Sequence, residues 1–448
     1  MRTYMKIPVV VAGTALILLA WARPGAAQES EPADLAAYLE IARAENPEIR
    51  AAAEEVEAAR ARAGAAGLLP DPVLGVGLLN ALVSEPLSSK DFMTMRVVQV
   101  GQRLPYPGKL DLERQIAGWE LAAAEAERER VELEVVASVK RAWYEVFLLD
   151  RALEVVGDNH GLLADFVSVT EARYGVGTGG QQDVLKAQVE ESRLGDEMVA
   201  LAERRVTARA KLNALLDRPS RTPIPDPVIP ERVERAAVPE EGTEVRFTAA
   251  ALGTGEAGGP IPDLATLQKR AEAGNPMLRA HLARIQAQNA ALRLAEKAAL
   301  PDFDVALGYS QRGGREDMLM AMVSIPIPLR KGRKQDALAA GERSELASLE
   351  ARHDAMVNDL HARVAELHAS LLEARDRLAL LRDGILPQAR ASLESAVAGY
   401  PVASVDFLTL IDNQATLFRH ELDYYRLLSV FAQDLAELER AVGGEVLR

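Results

Sequence analysis

Residues 174–188 read Y-G-V-G-T-G-G-Q-Q-D-V-L-K-A-Q, a glycine-rich turn between two very long helical patterns. A degenerate copy of this stretch, Y-P-V-A-S-V-D-F-L-T-L-I-D-N-Q, occupies residues 400–414. Glycines at such a turn supply the positive φ angles that other residues adopt only at a cost. Two turns of one kind indicate a chain that is built twice on the same plan.

A second pair of matching stretches supports this duplication. Residues 34–51 read D-L-A-A-Y-L-E-I-A-R-A-E-N-P-E-I-R-A, and residues 263–280 read D-L-A-T-L-Q-K-R-A-E-A-G-N-P-M-L-R-A, so half of the aligned positions are identical without gaps. Asn followed by Pro suits a helix N-cap followed by the first helical position. Each copy therefore predicts a short helix and then a second helix that starts at Pro47 or Pro276.

Alternating apolar residues predict strands after these helices. Residues 303–310 read F-D-V-A-L-G-Y-S, with one apolar face and one small or polar face, and a turn at 311–315 leads to a returning strand at 318–327. In the first half, residues 73–79 and 95–104 occupy the same places around a longer loop. Each half therefore contributes one β-hairpin, at residues 72–104 and 302–327.

Strands of roughly ten residues have the length of a tilted membrane-spanning strand. A small soluble hairpin that caps a helical bundle is the alternative, and the strands alone do not separate the two.

Long helical patterns follow each hairpin, at residues 109–173 and 334–398. Each would be about 100 Å long if it were continuous at ~1.5 Å per residue. The pairs Gly157-Asp158 and Asp383-Gly384, the latter just before Pro387, predict an interruption at matching places.

After each turn the pattern of a returning helix follows, at residues 181–216 and 405–442. Proline and glycine are concentrated at residues 218–262, which predicts a linker or surface wrap without a fold of its own. The predicted domain organisation is two repeats, residues 28–217 and 263–448, with turns, here called the first and second tips, at 174–181 and 399–405.

The N-terminal residues 1–27 have the pattern of a secretory signal peptide. Two basic residues precede an apolar run, and small residues end it. A membrane anchor is the alternative, but the apolar run is short and is followed by Arg23-Pro24. The chain has no cysteine, so we expect neither disulfides nor a lipid anchor on cysteine after the signal.

The composition favours long helices packed side by side, because apolar residues make up 48% of the chain and aromatic residues only 4%. The formal charge of −14 argues against nucleic-acid binding, since phosphate contacts need clustered Lys and Arg. Acidity could suit a cationic passenger, and it is also common in plain soluble proteins.

Four short strands cannot close a membrane-spanning barrel, for which about eight is the practical minimum. If these strands cross a membrane, several chains must therefore pool them. Three chains supply twelve strands and a tube of long helices, although strand counting alone also permits two or four chains.

These features together resemble the TolC-type outer-membrane efflux proteins, and the resemblance covers nearly all of the chain after the signal. The branch that serves heavy-metal resistance pumps, the CzcC/CusC-like proteins, is the most similar. The residues that carry the resemblance are N-P at 46–47, L-P-Y-P-G-K at 104–109, R-Y-G-V-G at 173–177, Q-Q-D-V-L at 181–185 and D-F-L at 406–408.

The resemblance implies a mostly α fold in which two structural repeats of long antiparallel helices form an α-barrel, and four strands per chain complete a trimeric twelve-stranded transmembrane β-barrel. It also implies a homotrimer in the outer membrane with a large periplasmic portion, in contact with outer-membrane lipid. The closed end would meet a periplasmic adaptor (membrane fusion protein) and an inner-membrane RND pump. Many relatives in this branch carry a lipidated cysteine, which this chain lacks.

By the same resemblance, the tips contain the functional residues. Adaptor docking is expected at Val176, Gly177 and Thr178 of the first tip, and at Val402, Ala403 and Ser404 of the second tip, which departs from the family pattern. The residues expected to form an aperture or gate are Tyr174, Asp183, Tyr400, Asp406 and Asp412.

The acidic members of this set have two interpretations. Three-fold copies of an Asp would make an acidic ring that favours cations and raises its own pKa by crowding. By resemblance, Asp406 matches a position that lines the constriction, and Asp183 matches one that pairs with a basic group in the closed state. Asp is also favoured in the first turn of any helix, and for Asp412 we prefer that interpretation.

Other motifs do not indicate enzymatic chemistry. The G-x-G-x-x-G match at 175–180 follows a helix instead of a strand, so we do not expect nucleotide binding. His353, His361 and His368 fall roughly on one helix face, which we interpret as solvated, and their spacing is weak for a metal site. We expect no enzyme activity, cofactor or metal site. The main rival function is a soluble periplasmic coiled-coil scaffold or adaptor without a transmembrane barrel.

Overall fold

The computed structural model describes residues 34–81, 83, 93–238, 261–313, 315–329, 331–402 and 404–447. The predicted signal peptide and Ala403 lie outside the described residues, as do most of the loop at 80–92 and residues 239–260 of the predicted linker.

The chain consists mainly of helices, with a single described sheet, and the two halves repeat the same order of elements. The first half contains α1 (Leu35–Glu45), α2 (Pro47–Ala65), β1 (Val73–Leu79), β2 (Met95–Leu104), α3 (Lys109–Gly175) and α4 (Gln181–Leu215). A short helix, α5 (Glu231–Ala237), lies between the halves. The second half contains α6 (Leu264–Gly274), α7 (Pro276–Lys297), β3 (Phe303–Arg312), β4 (Met318–Ser324), α8 (Lys331–Leu380), a π-helical turn (Leu381–Ile385), α9 (Leu386–Gly399) and α10 (Phe407–Val442).

The two Asn-Pro pairs cap helices and also tie distant parts of the chain together. Asn46 accepts from the backbone N–H of Glu48, and its amide donates to the carbonyl of Leu215 at 2.8 Å. Asn275 likewise accepts from Met277 and donates to the carbonyl of Ala441 at 2.8 Å. In each case the side-chain oxygen caps its own helix and the side-chain NH₂ bonds a distant carbonyl. The start of α2 is therefore fixed to the end of α4, and the start of α7 to the end of α10.

The four strands form one antiparallel sheet in the order β1-β2-β3-β4. The two hairpins join through β2 and β3, where Val98 pairs with Tyr309. Strand β4 ends at Ser324 instead of reaching residue 327 as predicted, because Pro326 has no N–H for the strand ladder. Strands β1 and β4 are the outer strands, and no described strand of the chain pairs with their outer edges.

The predicted interruption at Gly157-Asp158 is wrong, since α3 is continuous over 67 residues. Gly157 lacks a neighbouring proline, and a single glycine costs a helix only about 1 kcal/mol relative to alanine. In the second half the prediction is correct in position. The π-helical turn spans Leu381–Ile385, next to Pro387, which cannot donate a helical hydrogen bond.

The main core surrounds Trp143 of α3, which is fully buried, with its ring centre 5.1 Å from that of Tyr38 in α1 in a tilted arrangement. Its indole N–H donates to the carbonyl of Val228 at 3.0 Å. Ile224, Ile229 and Val233 are buried in the same core. The described part of the predicted linker is therefore packed and includes a helix, because its apolar residues cover the core around Trp143.

The two halves also meet through a buried ion pair. Lys140 of α3 donates to the carboxylate of Glu439 in α10 at 2.5 Å, and both side chains are almost completely buried. No described helix has a stretch long and apolar enough to cross a bilayer.

We expect the substitution Asn275→Ala to lower the melting temperature of the purified protein. It removes an N-cap and leaves the buried carbonyl of Ala441 without its donor, which together cost about 2–3 kcal/mol. Asp263→Ala is the matched control, because Asp263 caps α6 at the surface and accepts from Thr266 of the same helix at 3.1 Å. Equal melting temperatures for the two variants would contradict the bracing role of Asn275.

Candidate functional site

The first tip is a tight turn between α3 and α4 that is closed by backbone hydrogen bonds. The N–H groups of Thr178 and Gly179 both donate to the carbonyl of Arg173, at 2.9 and 3.1 Å. Gly177 has a φ of 74°, a conformation that glycine adopts without strain. The side chain of Val176 is 75% exposed at the outer end of this turn. The geometry thus presents an apolar side chain on a stiff support.

The second tip, between α9 and α10, is closed in a different way. The backbone N–H of Ser404 donates to the carbonyl of Gly399 at 3.1 Å, and its hydroxyl donates to the same carbonyl at 3.0 Å. A Cβ at Gly399 would lie 2.7 Å from that hydroxyl, so any larger residue there would displace the Ser404 side chain from its hydrogen bond. Val402 is 74% exposed, as Val176 is on the first tip.

Arg173 connects the two tips. Its guanidinium donates to the backbone carbonyl of Tyr400 at 2.5 Å and lies 4.5 Å from the centre of the Tyr400 ring. It also donates to the carbonyl of Thr178. One side chain therefore holds its own turn and the opposite turn together through a charge-assisted hydrogen bond and a cation–π contact.

The two tyrosines predicted for the aperture have opposite environments. Tyr400 is 4% exposed and packs at 5.7 Å against the ring of Phe407, whereas Tyr174 is 51% exposed. Burial raises the pKa of Tyr400, with Arg173 acting against this shift and Asp183 adding to it. The structure thus brings Tyr400 into contact with Arg173 and leaves Tyr174 at the surface.

The three predicted aspartates are spread over two helices. Asp406 is the N-cap of α10 and accepts from the N–H of Thr409 at 2.7 Å, and hydrogen bonding from Thr409 holds the pKa of Asp406 below its ordinary value. Asp183 lies half-exposed in the first turn of α4, and Asp412 is exposed on α10. Within the described part of the chain, neither Asp183 nor Asp412 forms an ion pair, so a basic partner for either would have to come from elsewhere.

A buried polar pair lies behind the tips and was not predicted from the sequence. The amide of Gln414 in α10 donates to the side-chain oxygen of Asn159 in α3 at 2.9 Å, and both residues are buried. The amide of Asn159 donates to the carbonyl of Val155. Buried apolar residues lie one helical turn away on the same helices, including Val156, Leu163 and Leu410. The role of Arg173 was missed for the same reason, since neither residue type nor spacing reveals a partner more than 200 positions away.

The histidines of α8 do not form the solvated face that we expected. His353 is half-buried with its ring 5.6 Å from that of His281 in α7, and Nε2 of His361 lies 2.7 Å from the carboxylate of Glu272 in α6. Burial lowers the pKa of His368. These histidines therefore contribute to packing between α8 and helices α6 and α7. No three His, Asp or Glu side chains of the described residues group together in a way that could hold a metal ion.

Comparisons with known proteins agree with this architecture. The family described as outer membrane efflux protein matches residues 38–218 and 267–444. The cobalt-zinc-cadmium resistance protein CzcC of Cupriavidus metallidurans is 23% identical over 419 residues, which cover 92% of this chain and 90% of that protein.

Solved structures share the fold at low sequence identity. The outer membrane protein VceC of Vibrio cholerae has a TM-score of 0.73 at 18% identity, covering 92% of this chain and 96% of its own. CusC has a TM-score of 0.74 at 15% identity, covering 92% of each chain. The predicted resemblance and the mostly α fold class are confirmed, and the family consists of efflux ducts, not enzymes. Because the family match covers both repeats, the chain belongs to the outer membrane efflux protein family.

Proposed function

We propose that three copies of this chain form the outer-membrane exit duct of a tripartite efflux system. The duct is a passive conduit, and a periplasmic adaptor connects it to an inner-membrane RND pump that supplies the energy. The observation that carries this proposal is the sheet, which has one largely apolar face and two edges without a partner among the described strands.

The strand register defines the apolar face. Val76 pairs with Val98, which pairs with Tyr309, which pairs with Leu319, so one row of apolar side chains crosses all four strands. Leu74, Val100, Leu307 and Ala321 form the next row. Apart from Ala321, all these side chains are large, apolar and exposed. A lipid-facing surface consists of exposed apolar side chains of this kind. A hairpin that caps a soluble bundle would instead bury its apolar face against the helices.

The other face of the sheet consists largely of small and polar residues. It carries Gly75, Gln99 and Gly308 across three strands, with Gly101 and Ala306 in the next row. In a β-barrel the two faces alternate between lipid and lumen, so this face would line the pore.

The open edges support pooling of strands between chains. Exposed edge strands carry unpaired backbone groups, which are tolerated in a membrane only when another strand pairs with them. If β4 of one chain pairs with β1 of the next, three copies close a barrel of twelve strands. Exposed valines on α4 at positions 189, 199 and 206 support close contact between chains along the helical tube as well.

The tips are proposed as the end that meets the adaptor. Val176 and Val402 are exposed apolar anchors, and the neighbouring Gly177, Thr178 and Ser404 leave room for a partner's backbone; Ala403 belongs to the same proposed contact. Closure of the aperture is assigned to the contact between Arg173 and Tyr400. Tyr174, Asp183, Asp406 and Asp412 are proposed to line the aperture around it.

We propose metal cations as the cargo. The support is the acidic composition of the chain and its likeness to a relative named for cobalt, zinc and cadmium resistance. A water-soluble scaffold remains the competing function, and it would leave the apolar face of the sheet without a role.

Lysine substitutions on the two faces of β2 test the barrel. Val98→Lys places a charge on the apolar face, which costs about 2–4 kcal/mol at the middle of a bilayer. We therefore expect fewer trimers in the outer-membrane fraction after an alkaline wash. Gln99→Lys is the matched control, one residue away on the other face, and it should assemble normally. Equal amounts of both variants in washed membranes would contradict the lipid-facing assignment.

Removal of the link between the tips tests the gate. Arg173→Ala removes a charged hydrogen bond and a cation–π contact, together about 2 kcal/mol, which would raise the open-to-closed ratio about thirtyfold. We expect higher mean conductance in planar bilayers. Arg193→Ala is the control, because Arg193 pairs with Glu190 on the surface of α4 and with no other described carboxylate. If Arg173→Ala has the same mean conductance as the control, the contact between Arg173 and Tyr400 does not close the channel.

A further inference from the structure

Strand β4 contains an unusual run of methionines. Residues 318–322 read M-L-M-A-M, so three of the chain's ten methionines occupy alternate positions in five residues. Alternate residues of a strand point to the same side. Met318, Met320 and Met322 therefore share one face of the sheet, where they are 47%, 38% and 47% exposed. Leu319 lies on the other, apolar face and is 87% exposed.

The methionines share their face with small residues, which leaves their side chains room to move. Across the ladder, Met318 pairs with Ser310, Met320 with Gly308, and Met322 with Ala306. The terminal methyl of Met320 lies over Gly308, where an added Cβ would be only 3.2 Å from it. These side chains do not fill a core, so packing does not explain why three methionines stand there.

Thioethers have a specific chemistry. They are neutral, polarisable ligands that favour soft cations such as Cu⁺, and Ag⁺ shares this preference. Side chains two residues apart on a strand start about 6.6 Å apart. With metal–sulfur bonds of about 2.3 Å, two sulfurs on one ion lie up to about 4.6 Å apart. The flexible methionine side chain bridges that difference, so neighbouring members of the run can share one ion.

We propose that Met318, Met320 and Met322 form a thioether ladder that binds a soft monovalent cation, Cu⁺ or its analogue Ag⁺. The position of the ladder inside the pore rests on the proposed function, but the binding itself does not. The ion class differs from the divalent metals named for the CzcC relative. Neutral thioethers bring no negative charge, so the cost of partly dehydrating the bound ion is lower for one positive charge than for two. The site therefore favours the monovalent ion.

A charged group contacts one end of this ladder. The guanidinium of Arg312 donates to the sulfur of Met318 at 3.7 Å. A cation at Met318 must compete with that contact and with the positive charge, so the strongest pair in the ladder is Met320 with Met322. Thioethers bind no proton between pH 5 and 8, so the affinity of the site should not change over that range.

Silver titration of the purified full-length protein in detergent tests the ladder. The double substitution Met320→Leu with Met322→Leu conserves volume and apolar character while removing both sulfurs. We expect it to weaken Ag⁺ binding by at least about tenfold, as loss of metal-site residues commonly does. Met198→Leu on α4 is the matched control and should bind Ag⁺ as the unmodified protein does. Circular dichroism and trimer content verify that all variants fold.

Two results would overturn the proposal. One is unchanged Ag⁺ affinity in the double leucine variant. The other is binding that disappears at pH 5 or on substitution of His281→Gln with His353→Gln, which would assign the ion to imidazoles. Planar-bilayer recordings separate this proposal from the channel assignment. Ag⁺ binding through the methionines without any channel conductance would support the ladder and refute the duct. Channel conductance without Ag⁺ binding would support the duct and refute the ladder.

Discussion

The constraint on which the structure depends is the pairing of backbone groups at the edges of a four-stranded sheet. Every N–H and C=O along the outer sides of β1 and β4 needs a partner, and the described residues of the chain supply none. In water those groups would be hydrated, but the apolar face formed by residues such as Val76 and Leu307 would then remain exposed. Lipid covers that face only if the edges are paired. The two requirements together favour assembly between chains and not a lone hairpin pair.

The helices below the sheet satisfy a related requirement within one chain. Long helices with small apolar residues bury little area per turn, so apolar packing alone does not set the register of one helix against the next. Specific polar contacts are needed to set it. Asn46 and Asn275 provide two of them, because each joins a helix start to the end of a returning helix. The pair of Lys140 with Glu439 provides another between α3 and α10. Such buried polar contacts tolerate few alternative registers, since a slipped helix would leave each amide or charge without its partner.

Local signals made much of this architecture predictable. Matching the first half to the second gave correct strand bounds at residues 73–79 and 95–104, and Asn-Pro gave correct helix starts, because both follow from patterns along the sequence. The prediction failed where packing overrides local preference, as at Gly157, and where apolar loop residues such as Ile229 cover a core. At the tips, turn positions were predictable from glycine. The contact of Arg173 with Tyr400 was not, because it joins residues from different halves of the chain.

That contact has a consequence for how the duplicated halves can move. Helix α3 reaches the first tip without a break, whereas the path to the second tip passes through the π-helical turn Leu381–Ile385. A π-helical turn is a local irregularity that often marks a point of adjustment in a helix. If the second tip moves relative to the first, the guanidinium of Arg173 must leave the carbonyl and ring of Tyr400, because its own turn is fixed by three backbone groups of residues 173–179. Duplication of the fold thus produces two tips that are similar in shape but unequal in their connections, and Arg173 couples them by direct contact.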